Sequence, residues 1–197
     1  LRKGVGFSLP STLETEVAEK IRELVPSVEM LRFAKNGTDA TSAAVRLARA
    51  YTGRDHVAVC GYHGWQDWYI GSTTRNKGIP EKTQSLTHRF VFNDIKSLED
   101  IIQKFPTEIA CVVLEPMNME WPKNDFLNKV IDLCERFGIV CVFDETITGF
   151  RLSKGGAQEL FKVKPHLSTF GKGIANGFPL SVIGGRSEIM KEMEEIF

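Results

Sequence analysis

Ile139-Val140-Cys141-Val142-Phe143-Asp144-Glu145-Thr146-Ile147-Thr148-Gly149-Phe150-Arg151 is the stretch on which the reading of this chain turns. Its first five residues are apolar and three of them are β-branched, the composition of a strand buried on both faces; such strands belong to parallel sheets covered by helices. The run stops at two carboxylates. An acid at the carboxyl end of a buried strand is costly unless a cation or a donor meets it, and in open parallel sheets that edge is where ligands sit. Asp144 therefore has two readings of equal weight, partner of a ligand or ion pair to Arg151 or another helix.

Working outward, Ile109 to Leu114 is a second apolar strand and stops at Glu115, while His56 to Cys60, Met30 to Ala34 and Phe90-Val91-Phe92 read as further strands. Helical spacing lies between them. Residues 11 to 24 carry Val17, Ile21, Leu24 and Val25 behind a capping box at Ser11-Thr12-Leu13-Glu14. A second helix runs from Thr38 to Tyr51 and closes at Thr52-Gly53, and others are expected from about Ile95 to Lys104 and from about Asp125 to Phe137. Gly61 to Gln84 reads as a loop rich in aromatics, glycine and charge. This alternation predicts an α/β fold, a mostly parallel sheet with helices on both faces, in one domain without repeats.

The 197 residues are 42% hydrophobic and 25% charged, which excludes disordered and fibrous classes. Lys+Arg and Asp+Glu are both 25, so the formal charge is zero and a nucleic-acid binder is not expected. The apolar runs are strand-length, too short for a membrane span. Cys60, Cys111, Cys134 and Cys141 form no CxxC pair, which predicts a reduced, cytoplasmic protein. The chain starts at Leu1 and ends on the apolar pair Ile196-Phe197, and it is expected to be an excerpt of a longer protein. GxSxG, GxxxxGK[ST] and HExxH are absent, so hydrolase, P-loop and zincin chemistry have no support.

Three further features bear chemistry. Lys172 stands between two glycines directly after the apolar Ser168-Thr169-Phe170, an amine on a permissive backbone able to form a Schiff base; alone, an exposed loop lysine is the better reading. Asn36-Gly37-Thr38-Asp39-Ala40 opens a helix, where free N–H groups and the Thr38 hydroxyl can hold a phosphate, although simple capping by Thr38 is the commoner event. Tyr62-His63-Gly64-Trp65 follows a strand and puts an aromatic over the carboxyl edge, where it can stack on a planar ring. His63 has no second ligand at a metal spacing, and no metal is expected. A turn for phosphate, an aromatic for a ring face, a carboxylate for a ring nitrogen and a lysine for an aldehyde together describe pyridoxal 5′-phosphate.

At these residues the chain resembles the large domain of the class III (subgroup II) aminotransferases, and most closely their glutamate-1-semialdehyde 2,1-aminomutase branch. The resemblance runs from Val5-Gly6-Phe7 to Gly184-Gly185-Arg186. It implies the aspartate-aminotransferase-like fold type I, with residues 1–197 as a cofactor-binding large domain that lacks an N-terminal segment and a C-terminal small domain. It also implies roles. Lys172 carries the cofactor and acts as general base, Asp144 holds the pyridine nitrogen, Gly37 and Thr38 hold the phosphate, and Tyr62-His63-Gly64 matches the ring-stacking motif. Glu115-Pro116 matches the family's acidic pair. Thr146 stands where the family usually has valine against the other ring face, keeping a methyl and adding a hydroxyl, and Ile147 replaces a glutamine near the ring hydroxyl.

Glu115-Pro116-Met117-Asn118-Met119-Glu120 departs from the aminomutase pattern. Glu120 sits where ω-aminotransferases carry a gating glutamate, and an exposed loop carboxylate is an equal reading. The resemblance implies a homodimer acting on small-molecule amino donors and acceptors, with no nucleic-acid or membrane partner. Amino-group transfer of the aminomutase type leads. Intermolecular transfer to an amino acid or sugar carbonyl, a decarboxylase or racemase of the same fold, and a non-catalytic binding module are its rivals.

Overall fold

A computed structural model describes residues 11–196; the Val5-Gly6-Phe7 end of the resemblance lies outside the described residues. In chain order the elements are α1 (Thr12–Leu24), β1 (Met30–Ala34), α2 (Gly37–Thr52), β2 (His56–Cys60), α3 (Asp67–Ile70), α4 (Glu81–Gln84), β3 (Thr87–Arg89), α5 (Ile95–Lys104), β4 (Ile109–Leu114), α6 (Phe126–Phe137), β5 (Val140–Asp144), α7 (Ala157–Leu160), β6 (Leu167–Phe170), β7 (Ser181–Gly185), α8 (Ser187–Met190) and α9 (Met193–Ile196). A 3-10 turn, Lys172–Ile174, follows β6. The strands form one sheet in the order β1-β7-β6-β5-β4-β2-β3. Only β7 runs antiparallel to its neighbours, so the expected mostly parallel sheet is the one observed.

Alternation along the strands divides the core between two faces. Cys111 and Val113 of β4 and Val140 and Val142 of β5 pack with Ala44, Leu47 and Ala48 of α2. Val112, Leu114, Cys141 and Phe143 turn the other way, onto Leu98 and Ile102 of α5 and Val130 and Leu133 of α6. Because both faces are covered, β4 is buried at every position. A third cluster sets Ile21 and Val25 at the end of α1 against Phe170 and Val182.

Four local expectations are corrected. The strand expected at Phe90-Val91-Phe92 is Thr87–Arg89, paired in parallel with Val57 to Val59. As an edge strand it tolerates polar residues, and the apolar signal came from side chains packed just after it: Phe90 is in the core, and Phe92 meets Phe126 edge-on at 5.1 Å between centroids. The Ser11 capping box does not form. The Ser11 carbonyl instead accepts the Glu14 N–H at 3.0 Å, and Val17, expected on the packed face, is 40% exposed. Helix α2 starts one residue early, at Gly37, and its cap is not Thr38: the Asp39 carboxylate accepts the Asn36 N–H at 2.9 Å. Within the expected loop Gly61 to Gln84 lie the two single-turn helices α3 and α4.

Candidate active site

The carboxyl ends of β1, β2, β4, β5 and β6 converge on an open crevice of about 330 Å³. Gly37, Thr38, Tyr62, His63, Glu115, Asp144, Thr146, Ile147 and Lys172 all line it, together with Gly64 of the Tyr62-His63-Gly64 motif and with Thr41, which the sequence did not single out. Five separate stretches of chain thus meet in one place. The parallel topology is the reason, because each of these strands delivers its next residues to the same edge.

Asp144 is 3% exposed and accepts three hydrogen bonds, from His63 Nδ1 at 2.9 Å, the Thr146 N–H at 3.1 Å and Thr169 Oγ1 at 3.2 Å. Burial alone would raise its carboxyl, but the His63 contact, with help from the Thr146 N–H, outweighs burial and holds it below the usual range. An ionised carboxylate offers about four acceptor positions, so one remains for a donor in the crevice. His63, 1% exposed, also approaches the Cys60 carbonyl through Nε2 at 3.1 Å. Both ring nitrogens of His63 thus face oxygen atoms, the Asp144 carboxylate on one side and the Cys60 carbonyl on the other. This pairing over 81 positions is the main site feature that sequence reasoning missed. The proximity of His63 to Tyr62 in the motif was visible; the partner across the sheet was not.

The wall beside it is held by Glu115, which accepts the Tyr62 N–H at 3.0 Å and Asn118 Nδ2 at 2.5 Å. Burial pushes the Glu115 carboxyl up, against the pull of those donors. Gly61 sits at φ 105, and a Cβ there would strike the Glu115 carboxylate, so the chain can turn from β2 into Tyr62 only with glycine. Tyr62 is 56% exposed and stands edge-on to Tyr69 at 5.6 Å. Thr41 of α2 donates to the His63 carbonyl at 3.0 Å and ties this loop to the helix opposite.

At the start of α2 the Asp39 and Ala40 N–H groups close on the Asn36 carbonyl, leaving those of Gly37 and Thr38 without partners among the described residues. Ser181 donates to the same Asn36 carbonyl at 2.7 Å, so β7 fixes the turn. Two free N–H groups at a helix start are an anion site. A Cβ on Gly37 would lie 3.0 Å from Thr146 Cγ2, which keeps the floor and this turn in close contact.

Lys172 opens the 3-10 turn after β6 with φ 42, a left-handed conformation uncommon and strained for a non-glycine residue. Its amine has no hydrogen bond or ion pair among the described residues. Glu120 lies outside this crevice, in an adjoining pocket of about 210 Å³ that shares Glu115. It is exposed and bonded to Lys123 at 2.7 Å. Among the described residues no cluster of three or more His, Cys, Asp or Glu is placed to hold a metal, and no helix is long and apolar enough to cross a membrane.

The profile of the class-III aminotransferases matches residues 7–195. The chain belongs to this family. A glutamate-1-semialdehyde 2,1-aminomutase of Francisella philomiragia subsp. philomiragia is 42% identical over 98% of this chain and 48% of its own length. Among solved structures, an omega-transaminase from Sphaerobacter thermophilus superposes with a TM-score of 0.87 at 32% identity, covering 96% of this chain and 48% of the other. The FumI protein of Sphingopyxis sp. MTA144, in its PLP internal aldimine form, gives 0.90 at 30% identity over 97% and 47%. The chain spans about half the length of the curated relatives it matches. These superpositions place the mostly parallel sheet of this chain in fold type I.

Proposed function

We propose that the full-length protein is a pyridoxal-5′-phosphate-dependent enzyme of amino-group transfer, of the glutamate-1-semialdehyde 2,1-aminomutase type. The observation that carries this reading is the pairing, in one crevice, of an unpartnered lysine amine with a buried carboxylate that has one acceptor position left. The residues fit the cofactor. Gly37 and Thr38 offer N–H groups to its phosphate, Tyr62 offers a ring face, and Thr146 and Ile147 bound the other side. When bound, pyridoxal phosphate supplies an aldehyde that condenses with amines and a pyridinium ring that accepts an electron pair.

The chain's own groups do the rest. Lys172 anchors the cofactor and, once displaced by a substrate amine, moves a proton as general base. Asp144, kept ionised by His63 and the Thr146 N–H, holds the proton on the ring nitrogen. Glu115 fixes Tyr62 through its backbone rather than touching the reacting atoms. The left-handed backbone at Lys172, beside the crevice, is a geometry that the surrounding structure must impose. The substrates are small-molecule amino donors and acceptors, and the working form is a cytoplasmic homodimer in which segments outside residues 1–197 complete the pocket. Glu120 is engaged by Lys123, which supports the reading of a loop carboxylate over that of a gate.

The test uses the full-length protein loaded with pyridoxamine 5′-phosphate and given glutamate-1-semialdehyde with no other donor or acceptor. Formation of 5-aminolevulinate over many turnovers is expected. Its absence from a protein that still converts between the two cofactor forms with other amines would replace the aminomutase by an intermolecular aminotransferase.

A further inference from the structure

Glu145, the next residue after Asp144, is fully buried and does not line the crevice. Its Oε2 accepts Thr148 Oγ1 at 2.7 Å and the Ala157 N–H at 2.6 Å, and its Oε1 accepts the Gln158 N–H at 3.0 Å and Gln158 Nε2 at 3.1 Å. The four acceptor positions of a carboxylate are all filled. A Cβ on Gly156 would strike this carboxylate, so the approach of residues 156–158 requires glycine, at φ 82. From Gln158 the bonds run on to residues outside the crevice: Nε2 also donates to Ser168 Oγ at 3.0 Å, Oε1 accepts the Ser27 N–H at 3.0 Å, and the Ser27 and Ser168 hydroxyls meet at 3.0 Å. Burying a carboxylate is costly unless its acceptors are met, and a buried network that meets them all rigidifies the segments it joins.

The Thr148 arm of this network reaches the site. Thr146 and Ile147, which line the crevice, lie in the turn between Asp144 and Thr148. That turn is closed twice, by Thr148 Oγ1 on the Glu145 carboxylate and by the Gly149 N–H on the Glu145 carbonyl at 2.8 Å. Its far end is pressed against the segment that carries Lys172: a Cβ on Gly149 would strike the Phe170 ring, and one on Gly173 would lie 3.3 Å from the Gly149 carbonyl oxygen. We propose that Glu145 is a positioning residue: through the Thr148 hydroxyl its carboxylate sets the turn that presents Thr146 and Ile147 to the bound cofactor and braces the backbone beside Lys172. It touches none of the reacting atoms itself. The inference rests on the pyridoxal-phosphate reading above.

The experiment uses the full-length protein and removes one buried hydroxyl from each arm of the same network, Thr148→Val on the site arm and Ser27→Ala on the far arm. Three quantities are read: Tm, the dissociation constant for pyridoxamine 5′-phosphate, which binds without a covalent link to Lys172, and the visible absorption bands of the protein loaded with pyridoxal 5′-phosphate. Both variants are expected to lose a similar few degrees of Tm, since each forfeits one buried hydrogen bond. Only Thr148→Val is expected to bind pyridoxamine phosphate about three- to ten-fold more weakly and to alter the visible bands, with Ser27→Ala within about two-fold and spectrally unchanged. Thr148→Ser keeps the hydroxyl and is expected to restore both readings, and Glu145→Gln, which turns a donor towards donors, is expected to show the Thr148→Val changes more strongly. Equal losses of affinity in Thr148→Val and Ser27→Ala, or a Thr148→Val form that binds and absorbs like the unaltered protein, would overturn the proposal while leaving the cofactor reading intact. No binding by the unaltered protein would overturn both.

Discussion

At the carboxyl end of the sheet His63 Nδ1 meets Asp144 Oδ2 at 2.9 Å, and at the amino end His166 Nε2 meets Glu135 Oε1 at 2.8 Å. The chemical pair is the same, and its surroundings reverse its character. His166 Nδ1 accepts the Cys141 N–H at 2.8 Å, so its only proton is on Nε2 and the ring is neutral. His63 instead faces oxygen atoms on both sides, a carboxylate and a backbone carbonyl. Glu135 is half exposed and also bonded to Arg186, whereas Asp144 is buried and keeps one acceptor position for the crevice. A histidine–carboxylate pair is thus a structural clasp where the backbone supplies a donor, and part of a site where the backbone supplies an acceptor.

Removing the charge at each end tests this contrast most strongly. Asp144→Asn in the full-length enzyme is expected to keep the cofactor and lower kcat by about 10²- to 10⁴-fold, the scale of losing one group matched to the proton chemistry. Glu135→Gln is expected to leave kcat within about two-fold, because its end of the sheet holds no reacting group. Equal losses in steady-state kinetics would erase the distinction between clasp and site.

His166→Leu should act on stability alone. It leaves the Cys141 N–H unpaired in the interior, at a cost of about 1–3 kcal/mol, which thermal unfolding would register as a fall in Tm of several degrees. The same residue gives the acid limb a sign. Burial lowers the His166 pKa, and His88, half-buried and stacked on His56, is lowered to about 4 by desolvation and by that neighbour. A histidine lowered on folding lends its full stability above the unfolded value near 6.5 and loses it as the pH falls towards the folded value. Denaturant unfolding should therefore show stability declining from about pH 6.5 to 4, with a shallower decline in His88→Gln; a flat profile there would contradict the neutral rings.

A smaller effect is expected at the floor of the crevice. Gly37→Ala sets a methyl 3.0 Å from Thr146 Cγ2 beside the two free N–H groups, and cofactor affinity measured by fluorescence titration should fall about ten-fold, or 1.4 kcal/mol. The smallest belongs to Glu120→Gln. Its ion pair to Lys123 is exposed, so stability should change by less than about 0.5 kcal/mol and KM for an amino donor by less than about two-fold. A large rise in KM would restore the gating role.

Much of this was legible in the chain because burial on two faces writes continuous apolar runs. β4 and β5 were placed by that signal, and the acids at their carboxyl ends, Glu115 just after β4 and Asp144 closing β5, came with it. β3 was misplaced because an edge strand lacks the signal and its neighbours Phe90 and Phe92 supplied a false one. β7 was not assigned, since Ser181-Val182-Ile183-Gly184-Gly185 looks like a loop; its glycines are there for contact, as a Cβ on Gly184 would meet Val28 at 2.9 Å. Gly37, Thr38, Tyr62, Asp144 and Lys172 could be named from type and position, and His63, Glu115, Thr146 and Ile147 from the family resemblance, but not the bonds that tune them. His63 to Asp144, and Tyr62 N–H to Glu115, join residues 81 and 53 positions apart, and no local pattern records a partner at that range.

The central claim, that an unpartnered Lys172 amine and a poised Asp144 form one cofactor site, is tested most directly by chemical trapping. The full-length protein is mixed with pyridoxal 5′-phosphate, reduced with borohydride, digested and mapped by mass spectrometry. A single reduced adduct on Lys172 is the predicted result, retained in His166→Leu. Adducts scattered over exposed lysines, or none on Lys172, would contradict it.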